Sequence, residues 1–110
     1  MVDIGMYWSA PVLRHKLERR GEEVWNCRRL PKGLGRGPQR DRLFIASEGR
    51  WVGFFRLVPE ILYTPEDSSC PYALIFDVGS WTRIPKTFSC KPFRGWTYNI
   101  PESVSNHLPP

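Results

Sequence analysis

The sequence has little of what metal and redox sites are built from, with two histidines and three cysteines in 110 residues. Cys27, Cys70 and Cys90 include no CxxC pair, which excludes a zinc knuckle, and their odd number makes no disulfide framework. Reduced, partly buried thiols that pack as small hydrophobes are expected instead. His15 and His107 fall in an expected helix and an expected tail, too isolated to form a metal pair. No metal and no cofactor is therefore expected.

Other absences narrow the function. No run approaches the ~18 apolar residues of a membrane helix, and the opening MVDIGMYWSAP has no basic segment leading into an apolar one. A cytoplasmic protein without a membrane partner is the expectation. No GxSxG elbow surrounds Ser47, Ser69 or Ser80, and no two carboxylates stand at a spacing suited to acid/base work. The segment GLGRGP has GxG spacing but carries a proline and no following helix, so it is not a nucleotide-phosphate fingerprint.

What is present is aromatic, basic and rich in turns. Aromatics make up 14% of the chain, and eleven prolines and nine glycines favour short elements over long helices. The length suits one domain, placed at 1–101, with 102–110 a flexible tail. The net charge of +5 is local: residues 14–42 hold ten bases and four acids, and the remainder sums to −1.

Along the chain, residues 3–8 alternate as a strand, and Ser9 is an N-cap with Pro11 in a first helical turn. Ala10, Leu13 and Leu17 form one helical face, and Gly21 stands where a left-handed C-cap is wanted. Residues 24–29 read as a strand with Val24, Asn26 and Arg28 on one face and Trp25, Cys27 and Arg29 on the other. Residues 30–39 are loop. Strands at 42–47 and 51–57 flank a hairpin turn at 47–50, with Val52 and Phe54 on one side and Trp51, Phe55 and Leu57 on the other. Pro59 interrupts the second strand or marks a bulge. A central apolar strand at 72–78 is expected to turn at Gly79-Ser80 and pair with 81–84, and 93–100 to form the last strand. One short N-terminal helix with five or six short strands describes a small, mostly antiparallel β-barrel capped at one opening.

The stretch 21–55 concentrates the candidate chemistry. Arg28 and Arg29 precede Lys32, Arg36, Arg40 and Arg42, with Trp25 just upstream and Trp51 beyond the loop. Guanidinium forks fit phosphate oxygens and an exposed indole stacks on a base, so the combination suits nucleic acid. The plainer alternative is a solvated basic face with Trp25 in the core. Of the acids, Glu23 and Asp77 are the weak catalytic candidates, and Asp77 within YALIFDV reads first as structural.

The order of features resembles the PUA-like superfamily, above all its ASCH branch, and is related to EVE and PUA domains. A short helix ends in Gly21-Glu22 with Arg28 following, a basic loop leads to DRLFIAS, a hairpin reads GRWVGFFRL, and KPFRGWTYNIP comes near the end. The resemblance covers roughly residues 5–101. It implies a PUA-like mixed β-barrel with RNA, or a nucleotide-like ligand, in the cleft beside this motif; joined to the basic and aromatic pattern, the expected cleft residues are Trp25, Asn26, Arg28, Arg29, Lys32, Arg36, Ser47 and Trp51. Some small members of that branch resemble amidohydrolases of a modified cytidine and rely on a motif lysine. Here Glu23 takes the lysine's position and Asn26 that of the motif glutamate, while Gly21 and Arg28 fit. Binding is thus the leading expectation. A hydrolase of modified nucleosides on the same fold is the first rival, and a protein-interaction module presenting its aromatics is the second.

Overall fold

A computed structural model describes residues 3–30, 41–64, 66 and 69–106 of the chain. The protein is mostly β: β1 (Asp3–Tyr7), α1 (Ala10–Leu17), β2 (Glu22–Cys27), β3 (Arg42–Ser47), β4 (Arg50–Tyr63), β5 (Tyr72–Ser89), β6 (Trp96–Thr97) and α2 (Glu102–Ser105). The strands form one sheet in the order β2-β5-β4-β3-β1-β6, which curls into a half-barrel. Among the described strands only the β1–β3 pair is parallel, and α1 leaves β1 as the first step of that crossover. No helix among the described residues is long and apolar enough to cross a membrane.

Local chemistry explains the start of the helix. The Ser9 side chain accepts the Val12 backbone N–H at 3.4 Å, and Pro11 sits in the first turn where it lacks no needed donor. The end lies earlier than its glycine implied. α1 stops at Leu17 with a right-handed Glu18 cap, and Gly21 (φ 74°) serves the turn into β2 instead. At 47–50 the expected hairpin turn is present, with Glu48 (φ 51°) and Gly49 (φ 81°) both left-handed between the paired Ser47 and Arg50.

Both faces of the sheet centre are buried. Every residue of β3 is buried: Leu43 and Ile45 join a first cluster with Ile4, Met6, Trp8, Phe55, Leu57 and Phe76, under Val12 and Leu13 of α1. Phe44 and Ala46 point the other way, into a second cluster with Trp51, Phe54, Ile84 and Val104 of α2. Arg42 pins that side: its guanidinium meets Asp3 at 2.9 and 2.7 Å and donates to the Ser105 carbonyl at 2.7 Å. Residues 102–106 are thus part of the packed fold, where a frayed tail was expected; residues 107–110 lie outside the described residues.

Bulges account for the other departures. Ala46 pairs with Trp51 but Ile45 with Gly53, so Val52 is an extra residue that reverses the alternation of β4. Trp51 therefore shares a face with Phe54, and Val52 packs with Phe55 and Leu57, correcting the expected sides. A second irregularity spans Leu57 to Ile61, where Pro59 falls. No hairpin forms at Gly79-Ser80. Residues 72–89 are one strand, and the partner register jumps from Arg56↔Asp77 to Phe54↔Thr82. Asp77 Oδ1 accepts the Gly79 N–H at 2.9 Å; the Ser80 hydroxyl donates to the Asp77 carbonyl and accepts the Arg56 N–H. This closed set of bonds bends β5 and lets the sheet curl. The last strand is two residues long, because residues 93–95 and 98–100 do not pair.

Candidate functional site

Curling brings the two edge strands, β2 and β6, toward one another without pairing them. The seam left between them is a depression of about 260 Å³, and Met6 from β1 also lines it. Trp25, Asn26 and Cys27 come from β2, Arg28 and Arg29 from the bend beyond it, and Arg94, Gly95 and Trp96 from the segment entering β6. Cys70 completes the wall, and no carboxylate lines the depression among the described residues.

The seam is held by side chains. Trp96 Nε1 donates to the Arg29 carbonyl at 3.0 Å, and the Arg29 guanidinium lies 5.0 Å from the Trp96 ring centroid. On the other side Trp25 stacks on the buried Trp8 with centroids 4.9 Å apart. Lys16 of α1 reaches over Trp25 at 5.7 Å and donates to the Val24 carbonyl at 3.2 Å, covering part of the β2 edge. The indoles are thereby fixed before any ligand arrives, while Asn26, Arg28, Arg29 and Arg94 remain exposed to solvent.

The sequence-derived candidates separate into groups. Trp25, Asn26, Arg28 and Arg29 are brought together in the seam. Lys32 and Arg36 lie outside the described residues. Ser47 and Trp51 are not in the seam, which corrects a cleft that joined them to Trp25. Ser47 ends β3 at 3% exposure, and its Oγ has no hydrogen-bond partner among the described residues. Trp51 is equally buried; its ring is so close to Gly5 that a Cβ there would come within 2.7 Å of it.

The acids sit elsewhere. Glu23 is held by Lys16 at 3.4 Å and Arg19 at 3.8 Å, and Asp77 is engaged with the β5 bend. Neither lines the seam. Burial, and then the neighbouring Cys70, push the Cys27 thiol above its ordinary pKa, which leaves it a poor nucleophile at neutral pH. No metal-binding group of acids, cysteines or histidines forms among the described residues. Arg94 and Trp96 escaped the sequence reading of the site. Their signal was the Arg-Gly-Trp run at 94–96, a cation and an indole on a turn glycine (φ 70°).

The basic block at 14–42 is also divided by the fold. Lys16 and Arg19 pair with Glu23, and Arg42 is buried on Asp3. Among the described residues, the cations that line the seam are Arg28, Arg29 and Arg94. No known family model matches the sequence, and no curated protein matches it.

Proposed function

We propose that this chain is a PUA-like, ASCH-like domain that binds RNA, or a nucleotide-like ligand, in the seam between β2 and β6. The observation that carries the reading is the convergence of three arginines and two fixed indoles on one depression with no acid among its described lining residues. Phosphate oxygens meet Arg28, Arg29 and Arg94 in fork geometry, and among the described residues no carboxylate in the wall neutralises them. A base lies against the indole surface that Trp8, Lys16, Arg29 and Tyr98 leave open, and the Asn26 amide offers both a donor and an acceptor to its edge. The mixed half-barrel, with a parallel β1–β3 pair and a helix following β1, is consistent with the PUA-like resemblance.

The hydrolase alternative draws no support from the carboxylates, since Glu23 and Asp77 are bonded away from the depression. Fluorescence of the tryptophans tests the reading. Quenching by short RNA oligonucleotides, weakened at least tenfold in an Arg28→Gln/Arg29→Gln double variant, is the expected result. Turnover of acylated nucleosides that vanishes in Glu23→Gln would transfer the case to the hydrolase.

A further inference from the structure

A second depression, of about 460 Å³, adjoins the first and has no role in the reading above. The two share Arg94 and Trp96, which line both. Beyond them the wall is built by Lys91, Phe93, Asn99 and the edge of Trp51. Its volume falls within the range of small-molecule sites. Lys91, Arg94 and Asn99 are exposed, and no carboxylate lines this depression either among the described residues. Phe93 is half-buried and braced, 6.0 Å from Trp51 and edge-on to Tyr7 at 5.8 Å, so its ring is a fixed platform. The chemistry of the first depression is thus repeated one step along the surface: cation, aromatic ring, exposed amide.

We infer that the second depression is a second nucleotide subsite, and that the ligand is a single strand running at least two nucleotides across Trp96. This inference rests on the nucleic-acid reading of the seam. Arg94, common to both depressions, meets the phosphate that links the two nucleotides. The Lys91 ammonium meets the following phosphate, one base lies on Phe93, and Asn99 reaches its edge. Single-stranded binders commonly combine an electropositive track with successive stacking platforms, and Trp96 and Phe93, lining one depression with Arg94 between them in sequence, supply both. An acidic peptide would also meet the cations, but it has no use for two ring platforms.

The test compares a ribonucleoside 5′-monophosphate, a dinucleotide phosphorylated at both ends, which carries the further phosphate for Lys91, and a tetranucleotide at ~50 mM salt. Lengthening from one to two nucleotides is expected to tighten binding about tenfold, and Lys91→Gln and Asn99→Ala should each remove most of that gain. Arg28→Gln should weaken all three ligands. A gain below about twofold on lengthening, with monophosphate binding still dependent on Arg28, overturns the second subsite and leaves the first reading standing. Equal competition by polyglutamate of the same charge also overturns it. If none of the three ligands binds, the underlying nucleic-acid reading fails and the subsite falls with it.

Discussion

Arg29 and Trp96 lie 67 residues apart in sequence and hold one another twice, through the indole N–H on the Arg29 carbonyl at 3.0 Å and the guanidinium 5.0 Å from the ring. This contact bridges the two unpaired edges of the curled sheet. It makes one residue pair answerable both for closing the fold and for shaping the ligand depression. Trp96→Phe keeps a ring but removes the indole donor from the solvent-exposed Arg29 carbonyl, and is expected to cost about 0.5–1 kcal/mol of stability. Trp96→Ala also removes the platform and should cost about 2 kcal/mol. RNA affinity should fall in both, more steeply in Trp96→Ala. Urea denaturation and oligonucleotide titration on the same preparations separate the two effects.

Glu23 provides a contrast. It neutralises Lys16 and Arg19 beside the seam without lining it. In Glu23→Gln these cations are released, so RNA binding should tighten about twofold at low salt, with a stability loss of about 1 kcal/mol, since Lys16 and Glu23 are half-buried and only Arg19 is exposed. A large loss of binding would mean that Glu23 contacts the ligand.

The Arg42 guanidinium ties Asp3 to the carbonyl of Ser105 and lies 4.9 Å from the Phe44 ring. Arg42→Ala leaves Asp3 and that carbonyl without this donor, and α2 held by the packing of Val104 without this tie. A loss of about 3 kcal/mol is expected, read as a lower urea midpoint. RNA affinity measured well below that midpoint should be unchanged, because none of these groups lines the seam.

Burial first, and Cys70 second, raise the pKa of Cys27. The folded protein therefore holds this proton more tightly than the unfolded chain does. The resulting stability is complete below the ordinary thiol value and is lost as pH rises from that value through the raised one. Denaturation midpoints of the wild type should fall more steeply between about pH 8 and 10 than those of Cys27→Ala. Parallel curves would contradict the assignment.

The parts of the fold legible in the sequence are those that local chemistry decides. The Ser9 cap, the β3 strand and the Glu48-Gly49 turn follow from side-chain bonding, alternation and left-handed backbone at neighbouring positions. The bulge at Val52 was not legible, since one extra residue reverses a strand's faces without altering its composition. Gly79-Ser80 carries the signature of a hairpin, yet the Asp77 and Ser80 bonds turn it into a bend within one strand. The site divides the same way. Trp25, Asn26, Arg28 and Arg29 were found because they are contiguous, whereas Arg94 and Trp96 reach the seam only through the curl of the whole sheet.

The most direct test of the central claim is the salt dependence of RNA binding at the seam. Affinity of the wild type for a single-stranded oligonucleotide is measured by tryptophan quenching from ~50 to ~300 mM salt, beside a variant with Arg28, Arg29 and Arg94 changed to glutamine. Single strands lose about 0.7 log units of affinity per log unit of salt for each phosphate neutralised, so three arginines predict a slope near −2 that flattens in the variant. No binding at ~50 mM salt, or a slope that the triple variant leaves unchanged, would contradict the proposal.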